Sequence, residues 1–180
     1  HVDAARLLLE KGAEVDRATK NGETPLYIAC QNGHVDAARL VLDNGAEVDR
    51  ATEDGWTPLQ SACCNGHVNA ARLLLDKDAA VDRAAENGWT PLLIACWKGH
   101  VNAARLLLDK DAAVDRANKD GVTPLWIACQ EGHVDAVRLV LDKGAVVDRA
   151  TKYGGLPLWT ACCNGHVAAA RLLLEKGAEV

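Results

Sequence analysis

The sequence contains no phenylalanine and no methionine, and only two tyrosines and five prolines in 180 residues. Its core must therefore come from leucine, alanine and valine, which suits thin layers of short helices rather than one large aromatic-centred interior. No apolar run approaches the ~18 residues of a membrane-spanning helix, and no stretch reads as a secretory signal. Positive charge is not in excess: 20 lysines and arginines stand against 25 aspartates and glutamates, a net charge of −5. Nucleic acid and anionic membrane are thus not indicated as partners, since both call for a basic stripe. Linkers, charge blocks and low-complexity tracts are missing as well.

What is present is repetition. His1, His34, His67, His100, His133 and His166 stand 33 residues apart, each followed by Val and then by an Arg-Leu-(Leu/Val)-Leu run. A period in this range marks a stacked array in which each unit buries its apolar face against its neighbours. The units read as a half repeat over 1–17, full repeats over 18–50, 51–83, 84–116 and 117–149, and a degenerate last repeat over 150–180. The chain opens and closes inside a repeat and has no initiator methionine, so it is expected to be a piece of a longer array.

One unit shows how the local signals work. Asn21-Gly22 is a tight-turn signal. Thr24-Pro25 starts a helix, with Thr as N-cap and Pro at the first helical position. Leu26, Ile28, Ala29 and Cys30 make a short helix of about two turns, and Gly33-His34 breaks it. Val35 to Asn44 form a second helix, which Gly45 ends. The run Asn21-Gly22-Glu23-Thr24-Pro25-Leu26…Ala29…Gly33-His34…Leu40-Val41-Leu42…Gly45-Ala46 resembles the ankyrin repeat, and the resemblance covers the whole chain. It implies an all-α solenoid of stacked antiparallel helix pairs, with β-turn or hairpin fingers along one edge. It also implies that other proteins are bound on the concave side, through the fingers and the first helices.

Departures from the pattern carry their own expectations. Residues 66–84 and 99–117 are identical, and both place an aspartate (Asp78, Asp111) where other units have Gly. Asp in a left-handed conformation costs roughly 1–2 kcal/mol, so a shared costly change points to tandem duplication. In the last unit Tyr153-Gly154-Gly155-Leu156-Pro157 replaces the turn and cap. Leu156 cannot cap, which should cost about 1 kcal/mol, and this unit is expected to fray first. Leucine faces at the two cut ends are expected to be exposed. In the first half repeat, Val2, Ala5, Leu8 and Leu9 share one helical face.

The chain also aligns with itself. The second helix hardly changes, whereas three registers vary: the residue before the turn glycine, the residue after it, and two residues late in the first helix. By the resemblance, these registers contact partners. Trp56 and Trp89 become adjacent fingertips with Trp97 close by, an apolar anchor of the type enriched at binding hot spots. Asp54, Asn87, Lys98, Asp120, Gln130, Glu131 and Tyr153 complete the candidate surface. A further register holds Tyr27, Gln60, Leu93, Trp126 and Trp159, where the family usually has His bonded to the finger base. A different finger network is therefore expected here, with Trp126 and Trp159 packed between units.

Chemistry of other kinds finds little support. A histidine stamped once per repeat is expected to tie the inter-helix turn by ring hydrogen bonds, not to catalyse. Cys64 with His67 and Cys163 with His166 have half of a zinc spacing, but structural zinc takes four ligands, and the pairs lie three units apart. Cys30, Cys63, Cys96, Cys129 and Cys162 share one register. Neighbouring helices about 8–10 Å apart hold such residues beyond the ~7 Å that a disulfide spans. Reduced thiols and an intracellular compartment, cytoplasm or nucleus, are expected. The ladder Arg6, Arg39, Arg72, Arg105, Arg138 and Arg171 has an acid four residues on, such as Asp43 or Asp76, so pairs along each outer helix are expected. No catalytic residue, metal or cofactor is indicated. The expectation is a non-catalytic scaffold for another protein. The open alternatives are a spacer or end-to-end self-associating stack, and the regulatory arm of a larger protein.

Overall fold

In the computed structural model, described over residues 2–180, every regular element is an α-helix. Helix α1 (Val2–Glu10) stands alone. Five pairs follow: α2 (Pro25–Gln31) with α3 (Val35–Asp43), α4 (Pro58–Cys64) with α5 (Val68–Leu75), α6 (Pro91–Lys98) with α7 (Val101–Asp109), α8 (Pro124–Glu131) with α9 (Val134–Asp142), and α10 (Pro157–Cys163) with α11 (Val167–Glu175). A short turn separates the partners of each pair, and they touch, so the chain doubles back. First helices α2, α4, α6, α8 and α10 stack in one row, and α1, α3, α5, α7, α9 and α11 in a second. The molecule is a two-layer solenoid.

Local chemistry sets each helix start. Thr24, Thr57, Thr90 and Thr123 are extended N-caps whose side chains accept the backbone N–H three residues on, with Pro at the first turn. Leu156 takes the same extended conformation and offers no such acceptor. Second helices end as the glycines require: Gly45 has φ +91°, and Ala46 N–H returns to Val41 O at 3.0 Å. Asp78 and Asp111 do adopt positive φ, 64° each. The core between the rows is continuous and built of Leu, Ala, Val and Cys. Leu26, Leu59, Leu92 and Leu125 are fully buried in the first row, and Leu74, Leu107 and Val140 in the second. Each full burial of such a side chain is worth roughly 1.5–3 kcal/mol.

Two expectations require correction and a third is refined, because contacts run between repeats rather than within them. Histidine rings do tie the inter-helix turns by hydrogen bonds, but not by capping their own helices. Instead His100 Nε2 donates to Cys64 O at 3.1 Å, His133 Nε2 to Trp97 O at 3.0 Å, and His166 Nε2 to Gln130 O at 2.9 Å, each in the preceding pair. The ring therefore lies against the preceding turn glycine, and a Cβ added at Gly99 would sit 2.6 Å from His133 Nδ1. The acids four residues after the arginines also reach forward. Lys77–Asp43, Lys110–Asp76, Lys143–Asp109 and Lys176–Asp142 pair at 2.8–2.9 Å across neighbouring second helices. The Lys77, Lys143 and Lys176 ammoniums hold the carboxyls of Asp43, Asp109 and Asp142 below the usual carboxylate range. Trp159, finally, is not packed between units but 62% exposed. Its counterpart Trp126 is covered by the next finger, where Gly155 lies over the indole, and no described residue does this for Trp159.

Exposure at the two ends follows the same rule. Leu7 and Leu8 are 57% and 60% exposed, and Leu174 is 49% exposed. Leu8 is thus exposed, as expected of the leucine face at this end, although its later counterparts Val41 and Leu74 are buried in a pair; among the described residues α1 has no first helix against it.

Candidate partner-binding groove

The fingers are β-turns rather than hairpins of strands, and they are linked edge to edge. Within one, Thr52 N–H donates to Trp56 O at 2.9 Å and Gly55 N–H to Thr52 O at 2.9 Å. Between them, Glu53 N–H reaches Asn21 O at 3.0 Å, Glu86 reaches Asp54 O at 3.4 Å, Lys119 reaches Asn87 O at 3.3 Å and Lys152 reaches Asp120 O at 2.9 Å. The tips form a bonded row, which leaves few backbone degrees of freedom to be lost on binding.

The finger base is held by different residues in different pairs, as the missing histidine predicts. Gln60 is fully buried, its Oε1 accepts Thr57 N–H at 2.7 Å and its Nε2 donates to Trp89 O at 2.7 Å. Tyr27 is buried and bonded to the Ser61 side chain, and loss of solvent raises its phenol above the ordinary value. Trp126 is half-buried, and its Nε1 finds no acceptor among the described residues.

These supports present a groove of about 440 Å³ running from one finger to the next. Trp89 and Trp97 form its wall, with ring centroids 5.3 Å apart at 68°, an edge-to-face contact. Val122 and Ile127 continue it on the next repeat, and Trp56 closes the near end. The polar lining is Asn87, Asn118, Asp120 and Gln130. Asn87 Oδ1 accepts Trp89 N–H at 3.1 Å, and Asn118 Oδ1 accepts Asp120 N–H at 2.9 Å and Val122 N–H at 3.0 Å, so both tips are pinned from within. Lys98 stands outside, its Nζ 3.5 Å from the Trp97 ring centroid.

Of the sequence-selected residues, six line this groove: Trp56, Asn87, Trp89, Trp97, Asp120 and Gln130. Asp54 lies in an adjoining hollow of about 290 Å³ that shares Trp56 and adds Glu23 and Tyr27. Glu131 sits at the rim, accepting from Gln130 Nε2 at 3.0 Å. Tyr153 is 85% exposed and joins neither hollow. Sequence reading missed Asn118 and Ile127, and it placed Val122 in a partner-contacting register without selecting it. Asn118 had a legible signal, because it replaces the Thr or Ala of its register (Thr19, Thr52, Ala85, Thr151).

No group of His, Cys, Asp and Glu among the described residues is placed to hold a metal. Cys30, Cys63, Cys96 and Cys129 are free and buried, with burial raising each thiol, Cys30, Cys96 and Cys129 to about 12. Such thiols are not nucleophiles at neutral pH. Cys162 and Cys163 are free and exposed, and Cys64 is half-buried.

No helix among the described residues is long and apolar enough to cross a membrane. No curated protein matches the chain. Models of the ankyrin repeat do: the three-copy model matches residues 45–118 and 110–180, and the many-copy model residues 1–42. Stacked pairs, bonded fingers and these matches together mean that the chain belongs to the ankyrin-repeat family, whose arrays are generally protein–protein interaction modules.

Proposed function

We propose that this chain is a non-catalytic scaffold that binds a partner protein in the groove between its central fingers. The observation that carries the reading is the edge-to-face Trp89–Trp97 pair, half-buried against the core and lining the groove on a row of pinned turns. Aromatic side chains dominate binding energy where they meet a partner in a desolvated pocket. A larger hollow, about 580 Å³, lies on the far edge between Glu47, Val48, Asp49, Arg50, Ala51 and Arg83. It holds no aromatic ring, so volume does not favour it. The free thiols suit a reducing compartment, and the proposal places the protein there.

A photo-crosslinking amino acid placed at Gln130, or at Arg50 as a far-edge control, tests the reading in extracts of the source cells. A discrete adduct from position 130 alone is expected, and it should weaken more than tenfold when Trp89 and Trp97 are both alanine with helicity unchanged. Adducts from position 50 and none from 130 would sink it.

A second reading rests on the end faces. Leu7 and Leu8 at one end, and Trp159 and Val167 at the other, are more than half exposed. Apolar patches of this kind drive association, so copies stacking end to end would give a concentration-dependent sedimentation coefficient that Leu8→Glu abolishes.

A further inference from the structure

Given the groove reading above, the chemistry of the lining says what a partner must bring. Three carboxylates, Glu23, Asp54 and Asp120, line the two joined hollows, and neither hollow is lined by a lysine, arginine or histidine. Among the described residues the Glu23 carboxylate accepts from Thr19 Oγ1 alone, at 3.2 Å. Asp54 and Asp120 are exposed and take part in no ion pair among the described residues. The aromatic side chains of the lining are Trp56, Trp89, Trp97 and Tyr27, whose ring faces carry negative potential, and Val122 and Ile127 add aliphatic surface for the stem of a long side chain. An acidic segment would meet only like charge there, and a purely aliphatic one would cover the Asp120 carboxylate without pairing it. A cation satisfies both kinds of lining at once. The chain already displays this chemistry, since Lys98 Nζ lies over the Trp97 ring.

We propose that the tryptophan groove takes a peptide segment of the partner that seats a lysine or arginine side chain against Trp56 and Trp89, with Asp120 as its counter-ion. The pinned tips fix the backbone: Asn118 holds the Asp120 and Val122 amides and Gln60 holds the Trp89 carbonyl, so the segments that carry ring and carboxylate are set before the ligand arrives. Asp54, one finger away, extends the acidic rim to a second basic residue of the same segment.

A random dodecapeptide library displayed on phage and selected on the whole 180-residue chain tests this. Peptides that compete with one another for the groove should share a lysine or arginine, and replacing that residue with glutamine should abolish binding. Asp120→Asn should weaken them roughly fivefold and steepen no salt dependence, whereas Asp120→Glu keeps most of the affinity. Trp56→Leu, which retains apolar volume but removes the ring, should weaken them roughly tenfold, and Arg83→Ala on the far edge should leave them unchanged. Groove-binding peptides without a cationic residue, or binding indifferent to both Asp120→Asn and Trp56→Leu, overturn the inference while the groove reading stands. Selection of far-edge binders, or of none, overturns the inference too, and the crosslink at position 130 then decides the reading on its own.

Discussion

Trp126 and Trp159 occupy the same register of two successive repeats, 33 residues apart, on helices that begin with the same Pro-Leu-Trp. One indole is half-buried with its nitrogen sealed from solvent, and the other is 62% exposed. The cysteines repeat the contrast: Cys30, Cys63, Cys96 and Cys129 are buried, and Cys162 is exposed. Leu108 is 8% exposed and its counterpart Leu174 is 49% exposed. Identical local sequence thus yields different burial, because half of each residue's surroundings is donated by the following repeat. In a solenoid the nearest neighbour, not the unit, is the thermodynamic partner.

The sharpest way to test that contrast is pH. Burial raises the thiols of Cys30, Cys96 and Cys129 to about 12 and pushes Cys63 up as well. Below the ordinary thiol range both folded and unfolded chains keep these protons, so nothing is lost. Above about pH 9 the unfolded chain gives them up while the folded chain cannot, and stability falls as pH rises towards 12. Each thiol contributes about 1.4 kcal/mol per pH unit in that window, so four should cost on the order of 5 kcal/mol between pH 8 and 10. A urea midpoint that holds steady over that interval would contradict the burial. At neutral pH, iodoacetamide should modify Cys162 and Cys163 in the folded chain and the four buried thiols only after denaturation.

Next in size is a paired truncation. Leu108→Ala removes a side chain packed on both sides and should cost roughly 2–4 kcal/mol. Leu174→Ala, at the same place in α11, should cost less than about 1 kcal/mol because much of that side chain already meets water. Equal losses in urea denaturation would mean that neighbouring repeats contribute far less than the geometry indicates.

Much of the fold could be read before the structure because its signals are local. Thr-Pro before four of the five first helices, Asn-Gly or Asp-Gly at four of the five tips and Gly or Asp after each second helix act within a few residues of themselves. The positive φ of Asp78 and Asp111 and the missing cap at Leu156 follow for the same reason. What resisted reading crosses from one repeat to the next. His100 to Cys64 spans 36 residues and Lys77 to Asp43 spans 34, three residues and one residue beyond the 33-residue period, and neither offset follows from spacing alone. The groove was half legible. Trp56, Trp89 and Trp97 stood out by type, but that they face Val122 and Ile127 while Tyr153 stands apart depends on how successive fingers are offset.

Smaller still is the cap. Thr90 accepts Leu93 N–H at 3.2 Å at the start of α6, whereas Leu156 leaves the equivalent amide of α10 without a side-chain acceptor. Leu156→Thr should therefore gain about 1 kcal/mol and Thr90→Ala should lose about as much. Hydrogen exchange separates the two: the first substitution should slow exchange in α10 and α11 only, whereas the second should quicken it in α6 and its stacked neighbours.

The smallest effect tests the surface ladder that joins the second helices. Asp109 and Lys143 meet at 2.8 Å, and the ammonium holds the carboxyl below its ordinary range. Both side chains are largely in water, where screening and side-chain entropy absorb most of the attraction. Asp109→Asn should leave the urea midpoint unmoved at physiological salt. At low salt the midpoint should fall slightly, and by no more than for Asp142→Asn, whose Lys176 partner belongs to the exposed last pair. A clear loss at high salt would mean that charge pairing, rather than burial donated by the neighbour, binds one repeat to the next.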